Sequence, residues 1–178
     1  VRQLLNFARR SSPQQTLCDL NTVIDRTVSL MEPIVKTRNA RIEIMNRLPD
    51  GISVNIDAAQ IQQVFSNLLM NAFLSKEADV AVQIDSCCCD ARSPESSGSQ
   101  SIHCVRTTVT DNGEGIAEGD LPHVFEPFFT TRDIGQGTGL GLSISHGIVS
   151  EHGGWMTVES VPGEGTTFAV FLPVEVSL

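Results

Sequence analysis

The sequence predicts a two-layer α/β sandwich in which helices cover one face of a mixed, mostly antiparallel sheet. Helical and strand-like patterns alternate along the chain, and most strands come in pairs joined by a short turn, as at Pro162–Gly165. The 178 residues, 40% of them hydrophobic, are enough for one compact domain with its own core.

The N-terminal part predicts two helices and two strands. Val1–Arg10 has the apolar spacing of the end of a helix. A second helix is expected to begin after the capping region Asp19/Asn21 and to kink late, at Pro33. Two short strands follow, Ala40–Asn46 and Ile52–Ile56, with a turn between them.

The middle of the chain predicts a helix and a long hairpin. Asp57–Gln60 has the form of a capping box, which predicts a helix to about Ser75. The strand Asp79–Ser86 then alternates, and Ile102–Thr110 is its returning partner. Between them Cys87–Ser101 is polar, small and without periodicity, so a loose loop is expected.

The C-terminal part predicts one helix and two strands. The helix extends from about Leu140 to His152, where two glycines end it. The strands Trp155–Ser160 and Thr166–Leu172 follow.

Composition excludes several classes of protein. A formal net charge of −9 argues against a nucleic-acid surface, because phosphate backbones attract clustered Lys and Arg. No apolar run approaches the roughly 20 residues of a membrane span. The domain is therefore expected to be soluble and cytoplasmic, without membrane contact, although a parent protein could still be membrane-anchored.

The chain does not begin with Met, as expected for a piece of a longer protein. Its five cysteines lack the spaced pairs of a zinc site and are expected to be reduced.

The predicted helix from Asp57 has a narrow stripe of uncharged polar residues on an otherwise apolar surface: Gln60, Gln63, Asn67 and Asn71. Asn67 and Asn71 are four residues apart and hence on one helix face. Amide oxygens suit a hard cation such as Mg²⁺, which also binds substrate phosphates. The residues alone leave open whether the stripe is a solvated face or a metal and phosphate site.

Two glycine-rich segments could bind a flat ligand and its phosphates. Asp111–Ile116 follows a strand and forms a glycine turn that a flat ligand can approach closely. When ionised, the Asp111 carboxylate only accepts hydrogen bonds, so it could accept one from an exocyclic amine such as that of adenine. Gly135–Leu142 places four glycines before a helix N-terminus, where free amides and the helix dipole favour phosphate. It is neither a P-loop nor a dinucleotide fingerprint.

The segment between them, Phe125–Arg132, contains three Phe residues. It is either a lid over a ligand, with Arg132 reaching phosphate oxygens, or a static plug of the core. Thr166 has a hydroxyl at the start of the last strand. Unless the neighbouring segments bind a ligand there, Thr166 is an ordinary residue of a hairpin turn.

In this order, the segments resemble the catalytic and ATP-binding domain of sensor histidine kinases, from about Leu20 to Pro173. The branch that contains nitrogen-regulation kinases is especially similar. Residues 1–15 resemble the end of the dimerisation and phosphoacceptor hairpin, and residues 16–178 the catalytic domain. The segments and their counterparts are Gln63–Ala72 for the N box, Asp111–Gly115 for the first Gly box, Phe125–Thr131 for the F box, Gly135–Leu142 for the second Gly box and Gly163–Thr166 for the third.

The resemblance implies a Bergerat-type fold that binds ATP with Mg²⁺. Asn71 would coordinate Mg²⁺ and Asn67 would face the phosphates. Asp111 would hold the adenine amine, with Thr166 assisting through water. The other implied contacts are Gly113, Gly115 and Ile116 at the base, Gly137, Thr138, Gly139, Leu140 and Gly141 at the triphosphate, and Phe128, Phe129, Thr131 and Arg132 in the lid.

The resemblance also implies a reaction and its partners. The γ-phosphoryl group would go to a histidine on a dimerisation domain, and a response regulator receiver domain would be a partner. The four histidines of the chain, His103, His123, His146 and His152, lack the family's helical His-Glu or His-Asp setting. The isolated chain is therefore expected to be a monomer that binds nucleotide without autophosphorylation, and the full-length protein a homodimer.

Three alternative functions stay open. The first is a hydrolytic ATPase of the same superfamily, in which a Glu occupies the position of Asn67 and activates water; Asn67 cannot act as that base. The second is a degenerate domain that only contacts partners, against which the intact glycines and both Asn residues argue. The third is a serine-directed protein kinase on the same fold, against which the Phe-rich lid argues. The chain departs from the family at one place. The family often has a Lys or another polar group three or four residues after the Mg²⁺-binding Asn, whereas this chain has Leu74 and Ser75 there.

Overall fold

The computed structural model describes residues 13–94, 101–131 and 138–174, so the predicted helix at Val1–Arg10 lies outside the described residues. The elements follow in chain order: strand β1 Thr16–Cys18, helix α1 Leu20–Arg38, strands β2 Arg41–Asn46 and β3 Val54–Ile56, helix α2 Ala58–Phe73, strands β4 Ala81–Ala91 and β5 Ile102–Asp111, a 3₁₀ turn Leu121–His123, helix α3 Gly141–Glu151, and strands β6 Trp155–Val161 and β7 Gly165–Pro173.

The main sheet has the order β2-β4-β5-β7-β6. Only the β2–β4 pair is parallel among these neighbours, which confirms the predicted mixed, mostly antiparallel sheet. The strands β2 and β3 do not pair with each other. Instead β3 pairs with β1 in a separate two-stranded sheet, in which Thr16 lies opposite Ile56. Strand β1 was not predicted, because its conformation depends on pairing with β3, about 40 residues further along the chain.

The core lies between the three helices and one face of the main sheet, which confirms helices on one face. Ile84, Val109 and Val170 point from the sheet into this core, and Phe65 and Phe73 enter it from α2. Each such side chain contributes about 1.5–3 kcal/mol by leaving water. On β6 and β7 the rings of Trp155 and Phe171 stack on each other, with their centroids 4.7 Å apart.

Helix α1 begins where the sequence predicts, because Asp19 accepts a hydrogen bond from the Asn21 amide at 2.9 Å. It then runs through Pro33 without a break and ends at Arg38. The missing amide of Pro33 is thus tolerated within a continuous helix, and the kink expected there stays a prediction.

Helix α2 begins at its predicted cap. The Asp57 carboxylate accepts from the amides of Ala59 at 3.1 Å and Gln60 at 3.2 Å. The reciprocal bond of a capping box is absent at Asp57, because its own amide donates to His152 Nε2 at 3.0 Å. The histidine that directly follows α3 has taken the place that the sequence pattern assigned to Gln60.

The prediction of a loose loop at Cys87–Ser101 was wrong for its first part. Strand β4 continues to Ala91, and Cys89 lies directly opposite Cys104 of β5. Small side chains carry little strand propensity of their own, but pairing with β5 satisfies the backbone and so decides the conformation. All five cysteines are free in the structure. In the described ranges no helix combines the length and apolar character that crossing a membrane requires.

Candidate functional site

A cavity of about 630 Å³ opens between α2, the ends of β5 and β7, and the start of α3. Most of the predicted site residues line it: Asn67, Asn71, Asp111, Gly115, Ile116, Phe129, Thr131, Thr138, Gly139, Gly141 and Thr166. Gly113, Phe128 and Leu140 do not line it, and Arg132 and Gly137 lie outside the described residues. Segments that are far apart in sequence therefore meet at one place.

The stripe of polar residues on α2 divides into two parts. Asn67 and Asn71 line the cavity, whereas Gln63 is exposed to solvent. Met70 and Leu74 supply apolar lining from the same helix. Gln63 thus has the exposure of a solvated face, whereas the two Asn residues face the cavity, and their role as a metal and phosphate site stays a prediction.

Asn67 connects α2 to the start of α3. Its Nδ2 donates to the Gly141 carbonyl at 3.1 Å and to the Ser145 hydroxyl, also at 3.1 Å. Because a carbonyl oxygen can only accept, the amide nitrogen must face Gly141, and this settles the orientation of the side chain. Its Oδ1 is then the group that Asn67 can offer to the cavity. An amide oxygen accepts hydrogen bonds or binds a cation, but it cannot donate to a phosphate.

Ser145 completes this connection and was not predicted from the sequence. Its side chain is fully buried, and its hydroxyl donates to the Gly141 carbonyl at 2.9 Å while it accepts from Asn67. A serine one turn into a helix usually bonds to the carbonyl four residues back, so sequence alone does not separate this role from an ordinary one.

Asp111 lies at the end of β5, where only 6% of its surface is exposed. Burial raises the pKa of the Asp111 carboxyl. Hydrogen bonds to the carboxylate oppose this rise: Gly113 donates its amide to Oδ1 at 2.8 Å, and the Ser75 hydroxyl and the Thr166 amide also act on it. The Ser75 hydroxyl also donates to the Ala72 carbonyl at 2.7 Å.

Thr166 lies opposite Asp111 in the β5–β7 ladder, so the two side chains reach the same end of the cavity. The Thr166 hydroxyl is 2.9 Å from the hydroxyl of Ser160 on β6. Ser160 also accepts from the Ile116 amide at 2.8 Å. Ser160 was not predicted from the sequence, because a lone serine in a strand has no distinguishing pattern.

Two glycines of the site stand where backbone segments approach closely. Gly115 has a φ of 73°, and a Cβ there would collide with the Val161 carbonyl. Gly139 has a φ of 63°, and a Cβ there would collide with the backbone of Phe128. Both the left-handed conformation and the lack of space require glycine at these positions.

The three Phe residues of the predicted lid have three different environments. Phe125 packs against the core, with its ring 5.1 Å from His146 and 6.4 Å from Phe168. Phe129 lines the cavity, whereas Phe128 is 67% exposed. The plug interpretation therefore fits Phe125, and the lid interpretation is restricted to the residues that follow it.

The described residues contain no cluster of His, Cys, Asp and Glu that could hold a metal ion. The four histidines, all within the described ranges, lie outside the cavity lining. His152 is buried and bonded at both ring nitrogens, to the Asp57 amide and to the Ile148 carbonyl. A metal bound in the cavity would therefore take oxygen ligands from amides, phosphates and water.

Comparison with known proteins agrees with this geometry. Residues 56–176 match the family described as histidine kinase-, DNA gyrase B-, and HSP90-like ATPase. The chain belongs to this family.

Among members of this ATPase family, the chain is 31% identical over 179 residues to the sensor histidine kinase ZraS of Escherichia coli (strain K12), covering 99% of this chain and 35% of ZraS. It is also 31% identical to the solved catalytic domain of histidine kinase ThkA, with a TM-score of 0.69 over 90% of this chain and 95% of that domain. ThkA solved with the response regulator protein TrrA is 26% identical, with a TM-score of 0.73 over 97% of this chain and 45% of that one.

These similarities confirm the predicted family, the α/β fold and an ATP-binding histidine kinase domain. The chain spans about a third of ZraS. The closer likeness to the nitrogen-regulation branch stays a prediction.

Proposed function

We propose that this domain binds Mg-ATP in the cavity and donates the γ-phosphoryl group to a histidine on a dimerisation and phosphoacceptor domain. The observation that carries the proposal is the convergence of three kinds of group on one cavity. Asp111 is an acceptor for an exocyclic amine, Asn71 has an amide oxygen for a cation, and the helix dipole at the N-terminus of α3 favours phosphate. No single one of these groups would support the proposal alone.

The ligand set of the cavity fits Mg²⁺. Asn71 would hold the ion through its amide oxygen, and Asn67 can offer its Oδ1 to a water of the same ion. When bound, Mg²⁺ neutralises charge on the phosphates of the nucleotide. Neither Asn is a strong base, so neither would remove a proton from water at neutral pH.

This arrangement separates the proposal from a hydrolytic ATPase. The position of the activating Glu is occupied by Asn67, whose amide nitrogen is already bonded to α3. The bound nucleotide would therefore await the phosphoacceptor histidine. Positioning the γ-phosphoryl group in line with that nucleophile would be the main contribution of the domain.

The proposed reaction has partners outside this domain. Residues 1–15 would be the end of the dimerisation hairpin, and residues 16–178 the catalytic domain. The isolated domain would be monomeric and the full-length protein a homodimer. A response regulator receiver domain would take the phosphoryl group onward, a role supported by the complex of ThkA with TrrA. The five free thiols agree with action in the reducing cytoplasm.

Calorimetric titration with ADP, with and without Mg²⁺, tests the proposal. We expect a Kd on the order of micromolar, equivalent to about −8 kcal/mol. Asp111→Asn should abolish binding, because an amide nitrogen would then oppose the amine of the base. Asn71→Ala should weaken binding only in the presence of Mg²⁺.

Gln63→Ala is the matched control, because Gln63 lies on the same helix and stripe but is exposed. Binding by this variant should equal that of the wild type. Absence of ADP binding by a folded wild-type chain would contradict the proposal and favour the degenerate domain. Rapid ATP hydrolysis by the isolated chain would favour the hydrolytic alternative.

A further inference from the structure

The hydroxyl of Ser160 is bonded to three parts of the nucleotide site at once. It lies 2.8 Å from the Ile116 amide, 2.8 Å from the Gly165 carbonyl and 2.9 Å from the Thr166 hydroxyl. Ser160 does not itself line the cavity, whereas Ile116 and Thr166 do. Any effect of Ser160 on a ligand must therefore pass through these neighbours.

The direction of each hydrogen bond follows from chemistry. The Ile116 amide can only donate and the Gly165 carbonyl can only accept. A serine hydroxyl has one proton and two lone pairs. Its proton is thus used for Gly165 and one lone pair for Ile116, so the remaining lone pair accepts the proton of Thr166.

The Thr166 hydroxyl is consequently held as an acceptor toward the cavity. Its only proton points to Ser160, and its lone pairs are what it can offer to a ligand or to a bridging water. Asp111, opposite it in the ladder, is also an acceptor when ionised. The base end of the cavity therefore presents two acceptors side by side.

We propose that Ser160 is a positioning residue that sets the base preference of the site by fixing the Thr166 proton, an inference that rests on the proposed function. An exocyclic amine has two protons and satisfies both acceptors. A base with a carbonyl at the same place, such as hypoxanthine, brings a third acceptor against these two, and no proton is available between them. A buried polar group without a suitable partner weakens binding. The fixed direction of the Thr166 hydroxyl therefore favours a base with an amine over a base with a carbonyl.

The same hydroxyl joins the two turns that form this end of the cavity. The turn after β5 and the turn between β6 and β7 are also linked by the Gly163 amide, which donates to the Glu114 carbonyl at 2.7 Å. Gly115 packs against the Val161 carbonyl in the same region. Loss of the Ser160 hydroxyl therefore leaves other contacts that hold the turns together, and its effect on base preference can be measured in a folded domain.

The test is the ratio of the Kd for inosine diphosphate to the Kd for ADP, measured by calorimetry on the full chain. The two nucleotides share their ribose and phosphates and differ at one edge of the base, where adenine has an exocyclic amine beside an unprotonated ring nitrogen and hypoxanthine has a carbonyl beside a protonated one. In Ser160→Ala the Thr166 hydroxyl is free to rotate and donate. We expect the ratio to fall by roughly three- to tenfold, the effect of about one hydrogen bond.

Three further variants complete the experiment. Thr166→Val removes the acceptor and should also lower the ratio. The double variant Ser160→Ala/Thr166→Val should show no further fall beyond Thr166→Val, because Ser160 acts through Thr166. Thr157→Ala on the same strand is the control; Thr157 lies opposite Ala169, on the sheet face away from the core, and its ratio should equal that of the wild type.

If Ser160 has a purely structural role, Ser160→Ala should weaken the binding of ADP and of inosine diphosphate by the same factor. The ratio of the two Kd values would then stay unchanged, which would overturn the inference. Should thermal unfolding show that Ser160→Ala is not folded, Thr166→Val decides, and an unchanged ratio there overturns the inference equally. Failure of the folded wild-type chain to bind ADP would instead remove the proposed function itself. The two failures are thus distinguishable.

Discussion

Asp111 shows a conflict between binding and stability at the scale of one residue. An ionised carboxylate with little solvent exposure is unfavourable in the free domain, and burial accordingly raises the pKa of Asp111. The same carboxylate is the acceptor that the proposed base requires. A residue kept for a ligand at the expense of the unliganded fold is typical of binding sites.

The raised pKa predicts how stability depends on pH. Below the pKa of an unfolded aspartate, about 3.9, Asp111 is neutral in both states and carries no penalty. As the pH rises through the folded pKa, the folded state must ionise a buried group, and stability is lost. We therefore expect the free energy of unfolding of the wild type to fall relative to Asp111→Asn as the pH rises from about 3.5 to 7.

Urea unfolding of both chains without nucleotide, at several pH values, measures this difference. The comparison with Asp111→Asn cancels the titration of the other carboxylates. A constant difference between the two chains across this range would show that Asp111 has no raised pKa in the folded state. A difference of the opposite sign would mean that its hydrogen bonds outweigh burial.

At the scale of elements, the segment around Phe128 and the start of α3 form one unit. The Phe128 amide donates to the Gly139 carbonyl at 2.9 Å, and both residues have a positive φ. The Asn67 amide then joins the start of α3 to α2. The predicted F box, second Gly box and N box are therefore connected by direct hydrogen bonds rather than only through a ligand.

Gly139→Ala should disrupt this unit. The left-handed backbone alone costs an alanine about 1–2 kcal/mol, and the collision of its Cβ with the Phe128 backbone adds to this. We expect lower stability in urea unfolding and weaker ADP binding in calorimetry. Gly119→Ala is the matched control, because a Cβ there has no neighbour within 4 Å, and it should change stability by less than about 0.5 kcal/mol. Equal behaviour of the two variants would argue against the connection.

At the scale of the whole molecule, Asp57 and His152 join the small sheet to the main body. The Asp57 carboxylate caps α2 and accepts from the Gln14 amide at 3.1 Å, next to β1. The Asp57 amide donates to His152, whose Nδ1 bonds to the Ile148 carbonyl at 2.8 Å within α3. The segment before β1, the start of α2 and the end of α3 thus meet at one junction. The same two helices line the cavity.

His152→Leu should weaken this junction by about 1–3 kcal/mol, because it leaves the partly buried Asp57 amide without an acceptor. Urea unfolding measures the loss. Gln15→Ala provides a control at the same junction: its side chain donates to the Glu151 carbonyl at 3.3 Å in an exposed position, where a hydrogen bond contributes little. A loss in Gln15→Ala as large as in His152→Leu would mean that docking of β1, and not the histidine, stabilises the junction.

The sequence by itself determined the fold class, the family and most of the residues around the cavity. These depend on local patterns: apolar spacing for α2, a cap at Asp57, and glycines where Gly115 and Gly139 need a positive φ. Such features are visible within a few neighbouring residues. They were therefore predicted correctly, with errors of only a few residues at the ends of most elements.

Only the tertiary structure decided which atoms face one another. The bond from Ile116 to Ser160 spans 44 residues, that from Asn67 to Gly141 spans 74, and that from Asp57 to His152 spans 95. The pairing of β1 with β3 and the extension of β4 through its cysteines are likewise contacts between distant segments. A hydrogen bond depends on a distance of about 3 Å and on the direction of a proton, and neither is determined until the whole chain has packed.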